Sequence, residues 1–201
     1  MYRPVHPNWF YSYVDIPNLE VIRQELIDLV NAGESGVRTN PTAYNISKED
    51  VIENCQEVVK YLKEMQLLDK FDRLLITKKT TSEADGMVHV DTYDPKYLTQ
   101  SLNIGLIDYE GSYTSWHSTD IKVLHDTSQF GMVPDRNFAF IEVENTKEIC
   151  RLYYDKRAAL VNTTILHKGN AQQPNRIICG FRFVPDLSDE DIKRMGIVKL
   201  I

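Results

Sequence analysis

Apolar residues recur every three or four positions in the first third of the chain, and at shorter intervals after it. From Leu19 to Val30 they line one side of a 3.6-residue repeat, which predicts an amphipathic helix. A second apolar face extends from Val51 to Met65. It follows Ser47, which has an acidic residue three positions later and therefore resembles a capping box. We expect two helices here, joined by a polar stretch that is rich in turn-forming residues.

After residue 70 the pattern changes to short segments that are separated by turn signals. At least seven of these segments are strand candidates, and they cover residues 74–77, 87–92, 100–108, 112–117, 137–143, 149–154, 158–164 and 176–184. Many short strands in one chain are typical of an antiparallel barrel or sandwich of the jelly-roll kind. Ser188 to Met195, followed by Gly196, predicts a short closing helix.

These patterns predict an α+β fold and one domain over residues 1–201, a length that suits a single domain. Its parts are a helical N-terminal part (1–70), a jelly-roll or cupin-like core (71–185), and a C-terminal helix or tail (186–201). We expect the N-terminal helices to pack on the core.

Composition narrows the classes of partner and compartment. The net charge of −6 and the pI of about 5.4 argue against non-specific binding to nucleic acid, which needs a basic surface. Three widely spaced cysteines form no CxxC pair, as expected for unpaired thiols in a reducing compartment. We read neither a signal peptide nor a membrane span in the sequence. We therefore expect a cytoplasmic protein without a membrane partner.

The sequence His89-Val90-Asp91 carries the first candidate chemistry. Side chains alternate along a strand, so His89 and Asp91 point to one face and Val90 to the other. Two imidazoles and one carboxylate can hold one face of an octahedral iron(II) and leave the other face open. An H-x-D triplet alone is a weak signal, because a structural histidine paired with an aspartate is the more common case.

A third ligand would have to come from elsewhere. His167 follows a strand predicted to lie in the core and precedes a predicted turn at residues 168–170. Arg176 lies nine residues further on and begins the apolar strand RIICGFRF, on which Arg182 shares its face. A guanidinium can hold a carboxylate through two hydrogen bonds. Taken alone, Arg176 is better explained as a surface residue at a strand end; in combination with the two histidines and Asp91, the binding role is favoured.

A second cluster of possible ligands lies between His117 and Asp126. It contains His117, Asp120, His125 and Asp126, but their spacing matches no zinc pattern. We therefore expect this segment to be a solvated loop and not a metal site.

At these residues the chain resembles the Fe(II)/2-oxoglutarate-dependent oxygenase superfamily. The segment LVNTTILHKGNAQQPNRIICGFRF looks like the C-terminal core of that family, and the resemblance covers roughly residues 70 to 184. The most similar branch contains aspartyl/asparaginyl β-hydroxylases and bacterial amino-acid hydroxylases. The resemblance implies a double-stranded β-helix, with O2, Fe(II) and 2-oxoglutarate as the reactants that the protein brings together.

Carried over residue by residue, the resemblance implies His89, Asp91 and His167 as iron ligands. Arg176 would bind the C5 carboxylate of 2-oxoglutarate, and Asn103 would meet its C1 carboxylate, where relatives often carry a histidine. Halogenating relatives lack the carboxylate at this position, so the resemblance implies that Asp91 favours hydroxylation or desaturation.

The function that the sequence predicts is hydroxylation of an amino acid, a protein side chain or another small molecule. A cupin-like metal-binding or structural module without oxygenase activity is the alternative. Partners would be a small-molecule or peptide substrate.

Overall fold

The computed structural model describes residues 9–33, 43–79, 87–91, 99–120, 125–126 and 139–197. Four α-helices lie within these ranges, and they are α1 (Leu19–Gly33), α2 (Lys48–Asn54), α3 (Gln56–Glu64) and α4 (Asp189–Arg194). The helices predicted over residues 19–30 and 188–195 are confirmed as α1 and α4. In the described part of the chain, no helix has both the length and the apolar character that crossing a membrane requires.

The second predicted helix is divided at Cys55 into α2 and α3. The backbone of Cys55 has φ −126° and ψ 85°, outside the helical region, and its side chain is buried in the core. The Glu25 carboxylate of α1 accepts the N–H groups of Glu57 and Val58 at 3.0 to 3.2 Å. A carboxylate at a helix N-terminus satisfies donors that have no partner within the helix. This contact between α1 and α3 therefore stabilises the new helix start.

Within the described ranges the strands, numbered β1 to β12 in chain order, form two antiparallel sheets of six strands each. We call the sheet with the longer strands the larger sheet and the other the smaller sheet. The larger sheet has the order β1 (Tyr11–Val14), β10 (Ala158–Asn162), β5 (Gln100–Ile107), β12 (Arg176–Phe183), β3 (Phe71–Lys79) and β2 (Ala43–Ser47). The smaller sheet has the order β7 (His125–Asp126), β8 (Ala139–Glu142), β4 (Met87–Val90), β11 (His167–Asn170), β6 (Tyr113–Ser118) and β9 (Lys147–Tyr153).

Strand order identifies the core as a double-stranded β-helix. Four strands of the larger sheet, β3-β12-β5-β10, lie opposite four of the smaller sheet, β4-β11-β6-β9. Neighbours within these two sets of four strands are never consecutive in the strand order of the chain, as in a jelly roll. The predicted α+β jelly-roll fold is therefore confirmed. Strands β1, β2, β7 and β11 were not predicted. β1 and β2 are each added to a sheet edge by backbone pairing and only partly bury their side chains. The turn expected at residues 168–170 is instead part of β11, which pairs with β6 on one side and β4 on the other.

The larger sheet has two faces with different partners. Its outer face packs on the helices through a large apolar cluster, in which Leu26 and Leu62 of the helices lie with Leu74 and Phe181 of the sheet. Its inner face meets the smaller sheet at a second cluster around Trp116. The helices thus bury one face of the sheet and leave the space between the sheets for other side chains, including the candidate site.

Candidate active site

Three candidate ligands converge on the inner face of the smaller sheet. His89 of β4 and His167 of β11 are direct partners in the antiparallel register, and their ring centroids are 4.6 Å apart. Asp91 follows β4, and its Oδ1 atom lies 3.6 Å from Nε2 of each histidine. The ligand atoms of all three residues lie within 4.8 Å of one another. The structure therefore brings together the residues that the sequence singled out.

Hydrogen bonds hold two of these residues in place. The backbone N–H of Asp91 donates to the carbonyl of Thr163 at 3.0 Å. Nδ1 of His167 lies 2.9 Å from the carbonyl oxygen of Ile165, and because a carbonyl only accepts, Nδ1 carries the proton. Nε2 of His167 then has a free lone pair that faces Asp91, as a metal ligand requires.

The charge state of Asp91 also suits a cation. Burial by itself raises the pKa of this carboxyl, but the Arg182 guanidinium and the two imidazoles lower it by a larger amount. The net result is a pKa well below the ordinary value of 3.8. Asp91 is therefore a carboxylate at neutral pH.

The donor set fits a divalent transition metal. Two imidazole nitrogens and one carboxylate oxygen are the facial set that non-haem iron(II) uses. Adjacent donors at bonds of about 2.1 Å are about 3 Å apart, and the distances of 3.6 Å here exceed this only slightly. Within the described ranges, this is the one group of three or more such residues close enough to share an ion.

Arg176 lies at the start of β12 and reaches from the larger sheet to the smaller one. It is 3% exposed, and its Nη1 atom is 3.4 Å from the position that a Cβ would take on Gly169. Gly169 is two residues from His167 on β11, or about 7 Å along the strand. Lys79, the register partner of Arg176 on β3, donates from Nζ to the Gly169 carbonyl at 2.7 Å. The guanidinium therefore lies beside the strand position two residues from His167, one of the candidate ligands.

A chain of polar side chains also spans the space between the sheets. Asn103 of β5 donates from Nδ2 to the Tyr154 hydroxyl at 3.0 Å, and its Oδ1 accepts from Ser101 at 2.6 Å. The Tyr154 hydroxyl is in turn 3.0 Å from that of Thr114, which is the register partner of Gly169. This row of hydrogen-bonded side chains therefore ends at Thr114, opposite Gly169, where the Arg176 guanidinium lies. The sequence identified Asn103 but not Tyr154 or Thr114.

Arg182 makes a contact that the sequence did not predict. Its Nη2 atom donates to Oδ2 of Asp91 at 2.5 Å. The period-two alternation on β12 does put Arg182 on the face of Arg176, and this was the available signal. Its partner lies 91 residues away in the chain, so only the packing of the two sheets reveals the pair.

His117 lies in a strand, as predicted for residues 112–117, but it is buried, whereas a solvated loop was expected for the segment from His117 to Asp126. It lies in β6 with 6% exposure, and its Nε2 and Nδ1 atoms are each 2.9 Å from hydroxyls, those of Ser115 and Thr146. Desolvation lowers the pKa of His117 from its ordinary value. His125 and Asp126 form β7; residues 121–124 are outside the described ranges.

Comparison with solved structures supports the fold. No family model matches the sequence, and a search of curated proteins finds no match. A Pseudomonas putida prolyl-4-hydroxylase superposes with a TM-score of 0.52 at 9% identity, covering 89% of this chain and 94% of that one. Iron-bound HygX from Streptomyces hygroscopicus gives 0.51 at 7% identity, with 89% and 83% covered. The non-haem α-ketoglutarate-dependent carbocyclase SnoK, from nogalamycin biosynthesis, gives 0.50 at 11%, with 89% and 81% covered. At these identities the likeness establishes a shared fold.

Proposed function

We propose that this protein is a non-haem Fe(II)/2-oxoglutarate-dependent oxygenase. The observation that carries the proposal is that one oxygen of Asp91 faces the Nε2 atoms of both His89 and His167 at 3.6 Å. These three residues would bind the metal. The fold shared with an iron-bound enzyme and an α-ketoglutarate-dependent one supports this choice of cofactor.

Fe(II), held by His89, Asp91 and His167, would supply oxidising chemistry in which O2 and 2-oxoglutarate convert a substrate C–H into C–OH, with succinate and carbon dioxide as the other products. The chain's own residues orient the reactants and exclude water. The Ile165 carbonyl keeps the His167 proton on Nδ1. The core strand β11 and the buried Trp116 beside it close one side of the site.

Arg176 would bind the distal carboxylate of 2-oxoglutarate. A dicarboxylate with one end at the metal needs a cation at its other end. The Arg176 guanidinium lies against Gly169, which is two residues, or about 7 Å along the strand, from His167. It is also buried, so its charge is little screened by solvent. Asn103 would complete the co-substrate pocket together with Tyr154, because its amide is tied to the phenol at 3.0 Å.

Hydroxylation of an amino acid, a protein side chain or another small molecule is the proposed reaction. The Pseudomonas putida prolyl-4-hydroxylase, whose name states that it hydroxylates a prolyl residue, has the same fold. As a metal ligand, the Asp91 carboxylate would take the coordination position that a halide needs in halogenating relatives, and this favours oxygen chemistry over halogenation. Membership of the aspartyl/asparaginyl and amino-acid hydroxylase branch, and a cytoplasmic location, stay predictions.

The direct test is anaerobic titration of the apoprotein with Fe(II) and then with 2-oxoglutarate. We expect a visible charge-transfer band that appears only when both are present, followed by succinate release on admission of air. His167→Ala should abolish the band, and His117→Gln is the matched control that should retain it. Metal binding without the band or succinate would instead identify a cupin-like module without oxygen chemistry.

A further inference from the structure

The two oxygens of the Asp91 carboxylate have different neighbours. Oδ1 faces the Nε2 atoms of His89 and His167 at 3.6 Å. Oδ2 accepts a hydrogen bond from Nη2 of Arg182 at 2.5 Å. One oxygen therefore points toward the ligand cluster while the other is engaged by a cation.

This ion pair is shielded from solvent. The Arg182 side chain is 6% exposed and that of Asp91 is 15% exposed. Removing either partner of a buried ion pair leaves an uncompensated charge, so such pairs resist separation. The hydrogen bond is also charge-assisted at both ends, which makes it among the stronger kinds in proteins. Oδ2 is thus retained by Arg182 and not available to a second partner.

Asp91 is held from a second direction as well. Its backbone N–H donates to the Thr163 carbonyl at 3.0 Å, while Arg182 approaches from β12 in the opposite sheet. A carboxylate that is fixed at its backbone and at Oδ2 has little freedom to rotate about its χ angles. The direction of Oδ1 is therefore set by both sheets together.

We propose that Arg182 is a positioning residue that limits Asp91 to one metal–oxygen bond. This inference rests on the proposed function. An octahedral ion has six positions, and a facial set of three protein atoms leaves three for co-substrate and oxygen. A carboxylate can also bind through both oxygens, and that mode would consume one of these three. By retaining Oδ2, Arg182 preserves the third open position.

The test uses Co(II) in place of iron, because its visible absorption responds to coordination number and geometry and needs no turnover. We expect Arg182→Met to change the Co(II) spectrum before any co-substrate is added. It should also weaken subsequent 2-oxoglutarate binding by about tenfold, the scale of one hydrogen bond to a charged group. Arg182→Lys should keep the wild-type spectrum, because an ammonium group can still donate to Oδ2.

Arg73→Met is the matched control. Arg73 is the register partner of Arg182 on β3 but pairs with Asp72, so its loss should leave the Co(II) spectrum unchanged. If Arg182→Met does not fold, Arg182→Leu replaces it, and the same spectral change is expected because leucine also has no donor for Oδ2.

Two results would overturn the inference. One is a wild-type Co(II) spectrum together with wild-type 2-oxoglutarate binding in the Met or Leu variant. The other is an unchanged spectrum with weakened 2-oxoglutarate binding, which would assign Arg182 to the co-substrate directly. If the wild-type protein itself binds no Co(II), the proposed function fails, and this is read from the wild-type titration alone.

Discussion

His89 and His167 lie directly opposite each other on neighbouring antiparallel strands, with ring centroids 4.6 Å apart. Because side chains at paired positions share a face of the sheet, this register alone brings two imidazoles to one point. Asp91, two residues beyond His89, returns to the same face. The backbone pairing of β4 and β11 therefore pre-organises the candidate ligands before any ion binds.

Removal of the Asp91 carboxylate should abolish turnover. In Asp91→Ala, two imidazoles remain and a buried Arg182 loses its partner, so we expect weaker Fe(II) binding and no substrate-dependent succinate release. Anaerobic metal titration and a succinate assay measure the two effects. Asp72→Ala, which removes an aspartate from a half-exposed ion pair, is the control. Full activity in Asp91→Ala would remove this residue from the metal site.

Arg176→Ala should weaken 2-oxoglutarate binding while leaving metal affinity close to wild type. The reason is that Arg176 lies against Gly169 and not against the ligand cluster. A lost charge-assisted contact to a carboxylate corresponds to about 1.5–3 kcal/mol, or at least about tenfold in Kd. Calorimetric titration with the metal-loaded protein measures it. Arg157→Ala, an exposed arginine paired with Asp155, should bind normally, and equal affinities in the two variants would exclude the proposed role.

Gly180→Ala should destabilise the fold through crowding between the sheets. A Cβ at this position would lie 2.6 Å from Ser101 Oγ and 2.9 Å from Asn103 Oδ1, so both must shift. Overpacking of this kind costs about 1–3 kcal/mol, which urea unfolding would detect. Adding Ser101→Ala removes the nearer clash and should recover part of the loss. Additive effects in the double variant would contradict this explanation.

Protonation of His117 should lower the free energy of unfolding in mild acid. Desolvation lowers its pKa in the folded state below the ordinary value of 6.5, while Glu148 opposes this shift and Lys168, His167 and Arg151 add to it. The unfolded chain therefore binds the proton more readily, and stability that is present above pH 6.5 declines as pH falls below it.

Thermal unfolding of wild type and His117→Gln between neutral and mildly acidic pH isolates this contribution. Contributions from the other histidines are common to both proteins and cancel in the difference. We expect the melting temperature of the Gln variant to fall less on acidification, because glutamine does not titrate. Parallel profiles for the two proteins would show that His117 carries none of the pH dependence.

Much of the architecture follows from local patterns. The 3.6-residue repeat from Leu19 to Val30 corresponds to α1, and the alternating segments after residue 70 correspond to most strands of both sheets. The closing helix predicted from Ser188 to Met195 corresponds to α4, for which Ser188 is the N-cap. The break at Cys55 was missed because the carboxylate that caps the start of α3 belongs to Glu25 of α1. No pattern within residues 51–65 reveals this contact.

By itself, the sequence determined which residues have suitable chemistry and which share a strand face. His89 and Asp91 needed only the alternation of side chains along a strand to be recognised as a pair. Only the tertiary structure decided that Arg182 contacts Asp91 and that Tyr154 contacts Asn103. These partners are 91 and 51 residues apart in the chain, and their distances depend on how the two sheets pack. Local periodicity specifies the face on which a side chain lies, whereas the residue opposite it is set by strand order and sheet packing.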